Sequence, residues 1–363
     1  MIGCAPKRSC TPAARVLVLA LGSLACAIAQ TGTAWPEADR LFHSDPRWLG
    51  ADAAFSVDLG RGRVLWLFGD SFVAPKPGQS RKQSRMARNT IAIQSGYDPS
   101  TASIRFYWRD QGSGSFFPDK GRTWYWPSHG IRLEDRLLLF YNVVKPHGAP
   151  GPLAFQEDAW TAFLISNPDD DPPRWNVRNL DAPIDPWHML VGIAVVREGE
   201  WLYLFAADEP KHDGYLLRVP VADARAGRFS GLEWWCGAER GWLVRDKIEG
   251  RPEPVFRDGS TEFSVHREPI SGRYLQVQSV GFGGSDIVVR TADRLIGPWS
   301  QPKKVYRPPE SDGPDPFVYA GKAHSELKGG DVVITYAANG PDARLWSDLT
   351  IYFPRFVRLK LKE

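Results

Sequence analysis

One apolar phrase returns five times along this chain, and that recurrence limits the fold more than any other feature. It occurs at 64–68, 137–144, 201–205, 274–280 and 332–336, each time after a charged or glycine-bearing turn such as Arg61-Gly62-Arg63 or Ser271-Gly272-Arg273. A further strand-like run follows each copy, at 90–94, 160–165, 215–219, 287–291 and 349–353. Four of the blocks close on a tryptophan, Trp108, Trp175, Trp234 and Trp299, spaced 67, 59 and 65 residues apart. Short strands repeating at this period mark radial arrays. A twisted sheet has two apolar faces, and a ring of sheets lets each neighbour cover one. The expected fold is therefore all-β, a five-bladed β-propeller spanning 45–361 and nearly devoid of helix. Two stacked sandwiches are the alternative, but they would not need the same phrase five times. The 34 glycines, 30 prolines and 15 tryptophans suit the many turns and packed sheets of such a chain.

The first 29 residues read as a cleaved signal peptide ahead of that fold. Lys7, Arg8 and Arg15 give a positive lead, 16–25 is apolar, and Ala27-Ile28-Ala29 offers a small-x-small cleavage site. The apolar run falls short of the roughly 20 residues that a membrane span requires, so no integral membrane span is expected. Cys26 in S-L-A-C is the residue through which lipid anchoring would occur as a minor route, although Ser23 stands where an aliphatic side chain is usual. Residues 30–44 form a lead-in. The expected location is secreted or periplasmic. The whole chain has 45 basic and 42 acidic residues, and the leader holds three basic and no acidic ones, so the mature part balances at 42 against 42. Nothing in that balance points to nucleic acid. Cys236 is the one cysteine left after the leader, so it has no intrachain partner and reads as a small buried hydrophobe.

The innermost strand of each blade would line a central funnel, where residues at equivalent repeat positions converge. Those positions are Asp52, His129, Gly192, Glu262 and His324. Glycosidic bond cleavage needs one carboxylic acid to protonate the leaving oxygen and a second carboxylate to attack or to activate water. Asp52 is expected as base or nucleophile and Glu262 as general acid. Asp70, in F-G-D-S, would orient the sugar or tune a neighbour; an Asx-turn is its plainer reading. His129, His324, Arg88, Asn89 and Trp126 are the expected substrate-binding residues, the histidines being otherwise ordinary hydrogen-bonded ones. No His-x-x-x-His or Cys-x-x-Cys spacing occurs, so no metal site or cofactor is expected, with room left for a structural cation on the axis. Asp119-Lys-Gly-Arg-Thr-Trp124 matches the core of the sialidase Asp-box once only and reads as a turn. There is no G-x-S-x-G elbow for serine chemistry.

W-L-F-G-D-S (66–71), R-N-T-I-A-I-Q (88–94), E-F-S-V-H (262–266), G-P-W-S (297–300), A-H-S-E-L (323–327) and F-P-R-F-V-R (353–358) together carry a resemblance. The chain resembles secreted bacterial propellers of a "domain of unknown function" type with an F-G-D-[ST] signature, one branch of which contains endo-D-arabinofuranases. More distantly it is similar to the five-bladed clan of arabinanases, β-xylosidases, invertases and levansucrases. The resemblance implies five blades, an acidic funnel and hydrolysis of furanosides. The first-blade aspartate of that clan maps onto Asp52 and its acid glutamate onto Glu262. Where the clan has a further aspartate early in the second blade this chain offers His129, with Asp70 or Asp158 as substitutes. The expected function is a secreted glycoside hydrolase acting on a polysaccharide or oligosaccharide, arabinan-like furanosides favoured. The alternatives are a non-catalytic carbohydrate-binding propeller, with Trp124 and Trp126 as stacking platforms, and a periplasmic scaffold for protein partners.

Overall fold

The run at 64–68 is apolar at every position because both faces of its strand are covered. Leu65 and Leu67 pack with Leu137, Leu139 and Tyr141 on one side. Val64, Trp66 and Phe68 pack with Val333, Phe356 and Leu327 on the other. Side chains alternate between faces along a strand, so a continuous apolar run signals a sheet buried twice. The computed structural model describes Met1 and residues 32–361, apart from 149–153, 184, 210 and 282; the rest of the leader expected at 1–29 lies outside the described residues.

Five antiparallel meanders follow one another along the chain, each with its strands in sequence order. The first comprises Phe55–Gly60, Arg63–Phe68, Thr90–Ser95 and Ser103–Tyr107. The second comprises Trp124–Leu133, Arg136–Pro146, Phe155–Ile165 and Val177–Leu180. The third runs Leu190–Glu198, Trp201–Ala207, Gly214–Pro220, Glu233–Trp235 and Trp242–Val244. Phe263–Arg267, Tyr274–Ser279, Ile287–Ala292 and Lys303–Tyr306 make the fourth. Phe317–Ala323, Val332–Asn339 and Arg355–Leu359 make the fifth, whose outer edge is filled by Gly32–Ala34 from the other end of the chain. Five apolar clusters join first to second, second to third, third to fourth, fourth to fifth and fifth back to first. The protein is all-β; its α-helices, Pro36–Asp39, Val221–Ala226, Gly237–Arg240 and Asp342–Ser347, are short connectors among the described residues.

All five recurrent phrases are the second strands of these meanders, and four of the five following runs are third strands. The fifth is corrected: 349–353 is not a strand, and Arg355–Leu359 takes that place. Ile351, Tyr352 and Phe353 are apolar because they are buried as a loop beneath Arg81, which has no exposed surface. The Arg81 guanidinium donates to the carbonyls of Leu49, Leu345, Asp348 and Ile351. The basic stretch 75–88 contributes Arg85–Ala87 to a small sheet with Trp48–Ala51 and Ser71–Val73. Cys236 is buried, as expected.

Residues 30–44 do more than lead in. Gly32, Thr33 and Ala34 pair with Leu359, Arg358 and Val357, and the Trp35 N–H donates to the Phe356 carbonyl at 2.8 Å. The Trp35 ring lies so close over Gly329 (φ 113°) that a Cβ there would sit 2.1 Å from it. Gly32–Ala34 and Arg355–Leu359 thus share one sheet, which closes the ring and hides a strand edge. Trp35→Ala should cost about 3–5 kcal/mol in urea unfolding; a loss below about 1 kcal/mol would show that the ring stays closed without it.

Candidate active site

Irregularities near the starts of the inner strands aim side chains at the axis of the ring. In the first meander Ala53 and Ala54 both adopt the left-handed conformation, at φ 67° and 58°. Non-glycine residues held there cost about 1 kcal/mol or more each and persist only where their surroundings enforce it. The Asp52 carbonyl closes this kink by accepting the Ala54 and Gly69 N–H groups at 3.0 and 3.2 Å. Register slips stand at comparable places in the second, third and fifth meanders, between Leu139 and Tyr141, Val191 and Ala194, and Tyr319 and Lys322. Bulges of this kind turn a side chain out of the ladder direction. Gly69, the glycine of F-G-D-S, has its own reason: a Cβ on it would lie 2.4 Å from Asp52 Oδ1.

Three carboxylates meet at this end of the axis. Asp52 is partly buried, and the hydroxyls of Tyr319 and Tyr352 each lie 3.2 Å from its Oδ2. The Tyr352 hydroxyl also donates to the Asp70 carbonyl at 3.0 Å. A phenol has one hydrogen, so the Tyr352 hydroxyl serves one of these two oxygens at a time. Burial first, then the charges of Asp70 and Glu262, push the Asp52 pKa up to about 8 against the two tyrosine hydrogen bonds. Asp70 is also raised, chiefly by burial, while Arg88 and Trp126 pull it back. Arg88 Nη1 donates to Asp70 Oδ2 at 3.0 Å and Trp126 Nε1 to Oδ1 at 2.9 Å. Glu262, at the start of the fourth inner strand, is paired through Oε2 with the Lys322 ammonium at 2.7 Å. The side chains of Glu262, Asp70 and Arg88 keep 22, 17 and 34 % exposure, so a ligand can reach them.

Of the residues expected from the sequence, Asp52, Asp70, Glu262, Arg88 and Trp126 are brought together. The environments of the pair run opposite to the roles expected for them. Asp52, expected as the ionised base, is the acid whose surroundings hold a proton, and Glu262, expected as the acid, is tied to an ammonium. The three remaining candidates, Asn89, His129 and His324, are not brought to this cluster, and their polar atoms are engaged inside the protein. Asn89 has no exposed surface, and its amide is spent on the backbone of Phe117 and Tyr125. His129 accepts the Val195 N–H on Nδ1 at 3.0 Å, so Nε2 carries the hydrogen given to the Ser56 carbonyl at 3.0 Å. His324 is 2 % exposed and bonds Ser56 Oγ and Thr335 Oγ1 at 2.6 and 2.7 Å. These two histidines pin neighbouring meanders together deeper along the axis. There they line, with His266 and Glu326, a cavity of about 30 Å³, room for about one water. A larger cavity of about 420 Å³, lined by Trp160, Trp234 and Asp185, lies away from the carboxylates.

Tyr319, Tyr352 and Lys322 were missed by sequence reasoning. Lys322 carried a signal, a charged residue inside the otherwise apolar strand F-V-Y-A-G-K-A. Tyr319 lies in that same strand; Tyr352 sits in the run misread as a strand. Among the described residues, no group of three or more His, Cys, Asp or Glu is placed to hold a metal ion. Trp124 and Trp126 meet edge to face at 6.1 Å, and Arg88 lies over the Trp124 ring at 4.6 Å, giving the site an aromatic wall.

The family description "Domain of unknown function (DUF5005)" matches residues 37–361. No curated protein matches the sequence significantly. Among solved structures, a Bacteroides ovatus protein provisionally described as a hydrolase superposes with a TM-score of 0.72 at 16 % identity, over 90 % of each chain. The catalytic domain of the family GH62 α-L-arabinofuranosidase of Coprinopsis cinerea superposes at 0.50 with 13 % identity, over 92 % of this chain and 97 % of that one. At such identities the likeness shows the fold, that of the propeller glycoside hydrolases.

Burial holds His129 and His266 down to about 4 and pushes His324 well below the ordinary histidine value. Each stays neutral in the folded chain but takes a proton when unfolded below its ordinary 6.5, so the stability it contributes at neutral pH drains away as pH falls towards 4. Thermal melts should therefore show the advantage of wild type over His129→Gln shrinking between pH 6.5 and 4. A constant difference across that window would mean that His129 is not held neutral.

Proposed function

The chain belongs to the DUF5005 family, and from that premise we propose that it is a secreted glycoside hydrolase built as a five-bladed β-propeller. The observation that carries the reading is the meeting of Asp52, Asp70 and Glu262 from the first and fourth meanders, with one acid kept protonated beside two others. Glycosidases rest on such an inequality between carboxyl groups. In the scheme we infer, the Asp52 O–H gives its proton to the glycosidic oxygen as the anomeric C–O bond breaks. Glu262, held in place by its ion pair with Lys322, faces the anomeric carbon and either takes the proton of the attacking water or bonds to that carbon before water replaces it. Asp70, clamped by Arg88 and Trp126, orients sugar hydroxyls and holds up the Asp52 pKa. The aromatic wall of Trp124 and Trp126 offers a stacking face.

Furanosides are the favoured substrates. The fold shared with an arabinofuranosidase catalytic domain supports this, as does the sequence resemblance to endo-D-arabinofuranases and arabinanases. Secretion or periplasmic location rests on the composition of 1–29.

Release of reducing ends from a panel of arabinan- and arabinogalactan-type polysaccharides tests the reading. Asp52→Asn and Glu262→Gln should each lower turnover by about 10²-fold or more. Because Asp52 works protonated, kcat/KM should fall as pH rises through about 8; a rate that climbs through that pH would restore Asp52 to the role of base. The folded chain keeps the Asp52 proton up to about 8 while the unfolded chain sheds it near 3.8, so this acid costs stability as pH rises through that window. Asp52→Asn should accordingly gain in melting temperature over wild type from pH 4 to pH 8. Glycan binding without turnover by the wild type would replace hydrolysis with the carbohydrate-binding reading.

A further inference from the structure

Lys322 is a buried ionisable group at the site. It belongs to Phe317–Ala323, the inner strand of the fifth meander, two residues past Ala320 at φ 58°. Its side chain is 2 % exposed. An ammonium in such a place costs several kcal/mol unless every hydrogen is used and a counter-charge is near. Both conditions hold. The three hydrogens go to the Ala320 carbonyl at 2.9 Å, to Glu262 Oε2 at 2.7 Å and to the Ala53 carbonyl. The Phe55 ring covers the ammonium at 4.3 Å.

The three acceptors come from three different meanders. Ala53 and Ala320 are both left-handed, so each carbonyl belongs to a backbone kink rather than to a regular ladder. The Ala53 kink is the one that sets Asp52. We propose that Lys322 is a positioning residue, a covalently tethered cation near the axis that fixes the Glu262 carboxylate and locks the turn carrying Asp52. No substrate contact is required of it. One ammonium thereby sets the spacing of the two working carboxyl groups, although they stand 210 residues apart in the chain. The charged and titratable groups facing it are Glu262 from the fourth meander, Asp52 from the first, His129 from the second, His266 from the fourth and His324 from the fifth. Burial lowers the Lys322 pKa, and Glu262 above all offsets that cost. The catalytic half of this inference rests on the hydrolase reading, while the pairing of Lys322 with Glu262 does not.

The test is a double-mutant cycle on the full chain, with Lys322→Met, Glu262→Gln and the two combined. Chemical unfolding at neutral pH reads the pairing without any substrate. Lys322→Met leaves a carboxylate without its partner, so the double variant should unfold at a higher denaturant midpoint than Lys322→Met alone. Additive losses would overturn the pairing. In kinetics on a cleaved polysaccharide, Lys322→Met should lower kcat by about tenfold or more and change KM far less. A raised KM with kcat unchanged would reduce Lys322 to a packing role and overturn the positioning role. If wild type cleaves nothing, the hydrolase reading falls, and the unfolding cycle still decides whether Lys322 and Glu262 act as a unit.

Discussion

Everything in this molecule depends on the closure of a ring in which no meander can bury its own faces. The strand around Trp66 shows the constraint at its plainest. Leu65 and Leu67 need the second meander, and Val64, Trp66 and Phe68 need the fifth. Burial of apolar area at about 25 cal/mol per Å² is won only when all five neighbours are present. The last gap is filled by Gly32–Ala34 pairing beside the final strand, so the two ends of the described chain are held together by ladder hydrogen bonds. The connection is long-range by construction, which places the cost of closure on the packing of Trp35 and Phe356 rather than on local turns.

Closure has a consequence for the axis. Inner strands that converge must present side chains to one another with little room, and those present are mostly polar. The chain answers by dividing the axis by depth. At one end lie the partly exposed carboxyls with their tyrosines, Arg88 and Trp126. Deeper in come neutral histidines whose ring nitrogens are tied to Ser56, Val195 and Thr335. Lys322 sits between the two levels, and its charge both pairs Glu262 and helps keep His129 and His324 neutral. Acid above and neutral base below are therefore parts of one electrostatic arrangement. Deeply buried charge is avoided except where each hydrogen of the ammonium has a partner.

The architecture was legible because period and burial leave marks in composition. A doubly covered strand must be largely apolar, and the five second strands were visible for that reason; in the fourth, the buried Gln276 amide donates to the buried Gln278. The run at 349–353 deceived for the same reason, since a loop pressed under Arg81 is as apolar as a strand. At the site, Asp52 and Glu262 were legible as equivalent positions in a repeat. Depth was not. Two residues along a strand move a side chain by about 6.6 Å, enough to carry His129 and His324 from the carboxyl level into the packed interior. Asn89 was misread because its neighbour Arg88 does reach the site; both lie in the turn between Arg85–Ala87 and Thr90–Ser95, where the Asn89 amide is taken up by the backbone of Phe117 and Tyr125. Roles were hardest of all. They depend on which carboxyl gains an ammonium and which gains tyrosines, and those partners come from the fifth meander and from a loop far along the chain.

The central claim is that Asp52 keeps a proton at neutral pH beside two other carboxyl groups. Isotope-edited infrared titration of protein carrying ¹³C-carboxyl aspartate, with Asp52→Asn subtracted, reads that proton directly. The account predicts a protonated carboxyl band belonging to Asp52 that persists through pH 7 and disappears with a midpoint near 8. A midpoint at or below about 5, in the ordinary carboxylate range, would contradict it.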